Sequence, residues 1–402
     1  MNLGRITVVG LDEGPLGEEV ERLLADAALV AGGRRHLEML GVEEGRAVVL
    51  KGDLSGALAR IEGIEGPVVV LASGDPGFFG IVRLLNARFG RENLRVLPGL
   101  SSVSLAFARA GLSWDDAVTV SAHGRDPRRA VNVCRAHQKV AILTSPDFGP
   151  AELAETLGGL GRTFVVAEKL GQTDERVFHG DAGTVAVMEW EDPNVVLVLD
   201  EAKGPGARGW ISSGLRSPGR WALPEGEFEH RSGMITRSPN RAFVLSRLGP
   251  GPGDLIWDLG AGSGSVAIEC ARLGAASIAV ERDPESCVRI RRNIERHNVY
   301  VQLIEGTAPE ALHDLPEPDA VFVGGSGGAF EEIVKLSAVR VRRAVVLALV
   351  TLERVVPAAR LLEDCGLEVE TRFLQTSTMK GIGDLHRLTA ESAVFVVSGS
   401  RP

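Results

Sequence analysis

Asp258-Leu-Gly-Ala-Gly-Ser-Gly-Ser265 directly follows the apolar run Asp254 to Trp257. A strand that ends in an acid and turns through Gly260, Gly262 and Gly264 into a helix meets the context a nucleotide-type loop requires. Glycine is needed because the turn is tight and the ligand comes close to the backbone. The next strand, Ser277-Ile-Ala-Val-Glu281, ends in an acid placed to accept both hydroxyl protons of a ribose. Two more pieces follow in order. Glu305-Gly306-Thr307-Ala308-Pro309-Glu310 comes after the third strand, where an adenine ring would lie. Phe322-Val323-Gly324-Gly325-Ser326-Gly327-Gly328 comes after the fourth, where a substrate would meet the cofactor. The expected binding set is Asp258, Gly260, Gly262, Ser263, Gly264, Glu281, Gly306, Thr307, Ala308, Gly324 and Gly325.

The acid at the head of the loop selects among ligands. A dinucleotide would place pyrophosphate on the helix N-terminus, and Asp258 would repel it. The run also lacks a phosphate-binding lysine. Asp258 suits instead the positively charged methionine portion of S-adenosylmethionine (SAM). A second set of glycine-rich pieces lies in the other half of the chain. It comprises Val8-Val9-Gly10, then Ala72-Ser73-Gly74-Asp75-Pro76-Gly77, then Pro98-Gly99-Leu100-Ser101-Ser102. Here Gly10, Gly74, Asp75, Pro76, Pro98, Gly99, Ser101 and Ser102 are the binding candidates, with Asp75 equally able to act as a turn former. Two differently built SAM sites in one polypeptide suggest two methyl transfers to one substrate.

These loops need strands to present them. Over residues 1–200, β-branched runs alternate with amphipathic stretches such as Glu18–Ala28 and Pro150–Leu157. Strands are expected at Ile6–Val9, Val68–Ala72, Leu94–Leu97, Ala117–Ser121, Val140–Thr144, Thr163–Glu168 and Val195–Leu199, with a switch to a second subdomain near residue 115. Residues 201–229 break every period with Gly and Pro and read as a linker. From His230 to the end, seven strands with helices between them, including one at Pro309–Asp314, describe a doubly wound sheet. The whole is an α/β protein of two domains, 1–200 and 230–402, and neither half repeats the other.

Composition narrows the partners. A chain of 402 residues with 44% hydrophobic and 24% charged residues is that of a globular protein. No apolar run is long enough to span a bilayer. The first strand starts at Arg5, which leaves no room for a signal peptide and predicts a cytoplasmic setting. Net charge of −9 argues against general nucleic-acid binding. Local arginines at Arg34-Arg35, Arg125 to Arg129 and Arg231 to Arg241 could still hold a small polyanion, or simply be solvated. Cys134, Cys270, Cys287 and Cys365 have no metal-ligand spacing, so no metal is expected and the thiols read as reduced apolar side chains. No nucleophile–base constellation appears.

The motifs carry a resemblance. Gly233-Met-Ile-Thr-Arg237, the Asp258–Ser265 run, Gly306-Thr-Ala-Pro-Glu310 and Val323-Gly-Gly-Ser326 resemble the decarboxylating precorrin methyltransferases that act at C15, over residues from about 230 to 402. Gly74-Asp75-Pro76 with Pro98-Gly99-x-Ser101-Ser102 resembles the tetrapyrrole (corrin and porphyrin) methylases, in which SAM lies folded between two α/β subdomains. Gly32-Gly33-Arg34-Arg35-His36-Leu37, Ser121-Ala-His123-Gly124-Arg125 and Glu168-Lys-Leu170-Gly171 with Glu175-Arg176 fit the branch that methylates C5 of precorrin-6Y. One departure is Gly10-Leu-Asp-Glu-Gly-Pro15, where that family usually has G-x-G-P-G.

Taken together, the halves resemble the decarboxylating precorrin-6Y C5,15-methyltransferases. The resemblance implies a two-subdomain tetrapyrrole-methylase fold joined to a Rossmann-like class I SAM-methyltransferase fold, with one SAM per domain. It implies methylation of the acidic ring of precorrin-6Y at C5 and C15 and loss of the C12 acetate carboxyl as carbon dioxide, giving precorrin-8X in cobalamin biosynthesis. Homo-oligomers are expected, because relatives of each half self-associate. His123, Arg125, Thr236, Arg237 and Ser326 are candidates for substrate contact; no residue is assigned to proton transfer. A second reading keeps only the C-terminal half catalytic, with the N-terminal half holding the tetrapyrrole.

Overall fold

The computed structural model describes residues 5–12, 15–52, 54–203, 218–231, 234–325 and 327–402. Within them lie three mixed α/β units, each grown on its own sheet.

The first unit contains β1 (Ile6–Leu11), α1 (Glu18–Asp26), β2 (Leu29–Gly32), α2 (Arg34–Met39), β3 (Ala47–Val49), α3 (Ser55–Gly63), β4 (Val68–Ser73), α4 (Val82–Phe89), β5 (Leu94–Leu97) and α5 (Ser102–Ala110). Its sheet runs β3-β2-β4-β1-β5 with every pairing parallel. A parallel sheet covered on both faces needs strands apolar on both sides, and Val68-Val-Val-Leu71 is buried throughout. All loops that follow these strands therefore leave from one edge.

The second unit begins at the predicted switch. It contains β6 (Val118–Ser121), α6 (Arg128–Ala136), β7 (Lys139–Leu143), α7 (Pro150–Thr156), β8 (Thr163–Glu168), β9 (Arg176–Asp181), α8 (Ala182–Ala186) and β10 (Asn194–Leu199), in the order β6-β7-β10-β8-β9. Alternate residues of its strands face two different layers. Ala141, Val165 and Leu197 meet Val103, Ala106 and Phe107 of α5 and also Phe78. Val140, Ile142, Val166 and Val196 meet Val131 and Cys134 of α6 and Leu153 of α7.

The third unit contains α9 (Ser238–Leu248), β11 (Leu255–Leu259), α10 (Ser265–Arg272), β12 (Ala276–Glu281), α11 (Pro284–His297), β13 (Gln302–Glu305), β14 (Ala320–Val323), α12 (Phe330–Arg340), β15 (Ala344–Leu349), α13 (Val355–Asp364) and β16 (Glu368–Leu374). A hairpin of β17 (Ser377–Ile382) and β18 (Leu385–Ala390) precedes the last strand, β19 (Val394–Ser400). The seven-stranded order is β13-β12-β11-β14-β15-β19-β16, parallel as far as β15 and antiparallel at β19. The hairpin stands off this sheet, with Met379, Ile382, Leu385 and Leu388 exposed.

Some segments depart from the expectation. The helix expected at Pro309–Asp314 is only a 3-10 turn, Glu310–Leu312. Within the stretch read as a linker, residues 218–229 lie against the third unit, with Leu223 and Phe228 buried beside Ile268. Arg241, read as part of a surface cluster, is fully buried. It donates to the carbonyls of Thr236 and Leu223, lies 3.6 Å from Glu269 and sits over the Phe228 ring. The same Glu269 accepts from the Leu223 amide at 2.7 Å. Arg241 therefore serves to anchor this segment, and the polyanion role considered for the cluster does not extend to it.

The second and third units touch. Arg128 donates to both carboxylate oxygens of Asp319 at 2.7 Å, and the Asn132 side-chain amide donates to the Gly253 carbonyl at 3.1 Å. Nearby, the Tyr300 hydroxyl donates to Asp200 at 2.7 Å while Arg162 covers its ring.

Candidate active sites

In the first unit the loops after β1, β4 and β5 close on one another, backbone against backbone. A Cβ on Gly10 would stand 2.2 Å from the Gly74 carbonyl oxygen and 2.3 Å from the Gly99 nitrogen. One on Gly99 would stand 2.8 Å from that same Gly74 oxygen. Gly74 has φ +61° and its missing side chain would meet the Leu100 carbonyl at 2.9 Å. Only hydrogen fits at these positions, so the glycines allow three strand ends to form one surface. Asp75 accepts from the Gly77 amide at 2.8 Å, the turn-forming role, and Pro76 is buried beneath. Ser101 caps α5 by accepting from the Ser104 amide at 3.1 Å, and Ser102 is the first residue of that helix. Of the departing segment after β1, Asp12 and Pro15 are exposed, and Glu13 and Gly14 lie outside the described residues.

The third unit builds its cluster from the same kind of contact and adds carboxylates. Gly260, φ +66°, would place a Cβ 2.3 Å from the Gly325 carbonyl, so the loops after β11 and β14 interlock. The Gly260 amide donates to the Val280 carbonyl at 2.9 Å, the Gly324 amide to Leu259 at 3.0 Å, and the Gly306 amide to Glu281 at 3.0 Å. Each loop is thereby tied to the neighbouring strand end. Gly262 faces open space, Ser263 is buried beneath the loop and accepts from Asn293, and Gly264 begins α10. Thr307 is exposed and Ala308 packs on the core.

Two acids lie under this loop. Glu281 accepts from the Gly262 amide at 2.8 Å with one oxygen and from the Arg282 and Asp283 amides at 2.9 Å with the other. A carboxylate has about four lone-pair directions, so Glu281 keeps one acceptor position for a ribose hydroxyl, where the sequence suggested two. Asp258 is buried; one oxygen accepts from the Ala267 amide at 2.9 Å and the other has no partner among the described residues. Burial, with the nearby Glu281 charge, pushes its carboxyl up to about 7. An orphaned buried acceptor is costly, and a cationic ligand head would satisfy it. The residues present thus fit the methionine end of SAM.

The expected substrate contacts are dispersed. His123 and Arg125 are exposed on the loop between β6 and α6. Thr236 and Arg237 are half-buried at the start of α9, where the Thr236 carbonyl is occupied by Arg241. Ser326 lies outside the described residues. Two arginines not singled out from the sequence stand at the loop after β14. Arg354 donates to the Gly327 carbonyl at 3.0 Å, and the Arg282 guanidinium lies 3.5 Å from where a Gly327 Cβ would be. The signal for Arg282 was available, since it directly follows Glu281; for Arg354 only the fold brings it near. The described cysteines are free thiols, and burial pushes Cys134 up to about 12, far from a reactive thiolate.

Comparison with known proteins finds a separate family for each of the two loop clusters. The family described as Tetrapyrrole (Corrin/Porphyrin) Methylases matches residues 7–186, and the one described as Precorrin methyltransferase domain matches residues 227–400. A Sinorhizobium protein named Precorrin-6Y C(5,15)-methyltransferase [decarboxylating] is 39% identical over 337 residues, 80% of this chain and 78% of that protein. Two shorter proteins each match one half. The Cobalt-precorrin-7 C(5)-methyltransferase of Salmonella typhimurium is 36% identical over 49% of this chain and 99% of itself. A Pyrobaculum calidifontis protein named "Probable cobalt-precorrin-6B C(15)-methyltransferase (decarboxylating)" is 32% identical over 44% of this chain and 94% of itself.

Proposed function

The chain belongs to the decarboxylating precorrin-6Y C(5,15)-methyltransferase family, and on that premise we propose how its two loop clusters divide the work. The first cluster serves methylation at C5, and the second serves methylation at C15 with loss of the C12 acetate carboxyl. The observation that carries this is the presence of two separately built loop clusters in one chain, each made of interlocking strand-end glycines.

SAM, one molecule at each cluster, supplies the methyl group. Gly10, Gly74 and Gly99 present backbone donors and acceptors at the first site. At the second, Asp258 would hold the ligand's cationic end and Glu281 one ribose hydroxyl. Attack comes from an electron-rich carbon of the ring itself, so side chains need only orient the ring and exclude water. Decarboxylation sends the electrons of the C–CO₂⁻ bond into the conjugated ring, and a proton then reaches the new methylene. The substrate's carboxylates call for fixed positive charge, which Arg282 and Arg354 offer beside Gly327 in the loop after β14. Arg125 and Arg237 are the candidates elsewhere, and arginine pairs carboxylates through a planar fork.

Turnover of precorrin-6Y with SAM, followed by mass spectrometry, tests the assignment. Two methyls gained and one carbon dioxide lost are expected; a product that gains a single methyl under saturating SAM sinks it.

Self-association belongs to the same proposal. The β17–β18 hairpin exposes four apolar side chains clear of the sheet, a surface suited to a second copy of the chain. Light scattering of the full chain checks it, and a mass equal to one chain at micromolar concentration counts against it. Among the described residues no helix is long and apolar enough to cross a membrane, and the free thiols fit the cytoplasmic setting proposed for the reaction.

A further inference from the structure

The two loop clusters stand at opposite ends of a stack of layers. The second sheet receives α5 and Phe78, from the loop after Gly74, on one face and α6 on the other. The far side of α6 rests on the third unit, and its anchoring points there are diagnostic. Arg128 holds Asp319 and Asn132 holds the Gly253 carbonyl. Asp319 and Gly253 stand just before β14 and β11; Gly324 and Gly260 stand just after those same strands. The first two units are therefore docked on the edge where the third sheet's strands begin, while its cofactor loops leave from the edge where they end.

The separation follows from strand and layer dimensions. Strand β11 has 5 residues, and a rise of about 3.3 Å per residue gives roughly 17 Å along the sheet. Crossing from the second sheet through α6 adds roughly 10 Å for each packed layer. The clusters thus lie on the order of 35 Å apart, with the second sheet, α6 and the core of the third unit between them. The seam is held rather than open: Asp319 also accepts from the Leu255 amide at 2.8 Å, so the Arg128 pair is built into the first residue of β11.

Resting on the two-site reading above, we propose that the once-methylated ring is released into solution between the two methyl transfers and is not handed from site to site within the chain. Whichever transfer comes first, a ring bound without a covalent tether has to leave one cluster, pass around the docked units and bind afresh at the other. The site that acts later must accordingly recognise a freely diffusing ring by its own carboxylate contacts.

The test uses the full chain with limiting precorrin-6Y and saturating SAM, quenched over time at several enzyme concentrations. Free release predicts a lag before twice-methylated product that lengthens tenfold when the enzyme is diluted tenfold. It also predicts that once-methylated ring passes an ultrafiltration membrane in mid-reaction. A lag unchanged by dilution, or once-methylated ring retained wholly with the protein, overturns the proposal; transfer between copies in an assembly would show itself the same way. Failure of the two-site reading is distinct, because no second methyl would then be added at any enzyme concentration.

Discussion

The N-terminal cluster is knitted by backbone against backbone, whereas the C-terminal cluster sets a backbone surface over two buried acids. At the first, Gly10, Gly74 and Gly99 fill one another's missing side-chain space, and Asp75 accepts one bond from its own turn. At the second, Gly260 and Gly325 make the same close approach, but Asp258 and Glu281 lie beneath with acceptor capacity left over. On the reading proposed above, the same cationic ligand is held by shape at one cluster and by charge at the other. Each solution should fail in its own way.

The largest effect should come from attacking shape. Gly10→Val places carbon within 2.3 Å of two backbone atoms. Overpacking of this kind costs about 1–3 kcal/mol, occasionally more, relieved by moving the loops apart. About 3 kcal/mol of transition-state binding lost that way is roughly a hundredfold in rate. C5 methylation should fall by that factor while C15 methylation continues, read as once-methylated product by mass spectrometry. Loss of both half-reactions together would erase the contrast. Next in size is Glu281→Ala. Removing an acceptor that also orders the Gly262 loop should cost about 1.5–3 kcal/mol of SAM affinity at the C-terminal site only. Calorimetry should then show one weakened and one unchanged site; two weakened sites would mean the clusters are not independent.

The smallest effect sharpens the comparison through pH. Asp258 titrates near 7 in the ligand-free fold because burial disfavours its charge, against about 4 in an unfolded chain. Its folded pKa is raised, so the stability it contributes is complete below about pH 4 and is lost as pH rises through 7. A cationic ligand reverses the preference by favouring the ionised form. SAM affinity at the C-terminal site should rise about tenfold between pH 6 and 8 and level off above, while the N-terminal site stays flat. Asp258→Asn should remove the slope. A slope that survives this change would show that another group is titrating.

Long apolar runs made most of this architecture legible in advance. Val68–Ser73 and Leu255–Leu259 announce buried parallel strands, and the glycines that follow them mark where loops must turn close to each other. Short elements carried too little pattern: Ala47–Val49 has three residues, and Arg176–Asp181 is an edge strand with charged ends and no alternation. The β17–β18 hairpin mixes Lys380, His386 and Arg387 with apolar residues on a surface that faces no core, so no face is marked. Contacts between units were hidden for a different reason. Arg128 and Asp319 are 191 positions apart; Arg128 lies in the cluster read as solvated or polyanion-holding, and nothing in the sequence marks Asp319 as its partner. Glu281 was expected to be a ligand group from its place at the end of β12, but the three amides that hold it could be seen only once the turn was folded.

Arg241 decides where this polypeptide can be cut. Its guanidinium is closed off from water by Leu223, Phe228 and Glu269, and two of those three belong to the stretch ahead of residue 230. A protease or a genetic excision that begins the fragment at His230 removes the carbonyl that Arg241 binds and leaves the Glu269 carboxylate short of an amide donor. Stranding a buried charge in this way costs several kcal/mol, enough to turn a sound fragment into an insoluble one. A unit that keeps residues 218–229 carries its own cork.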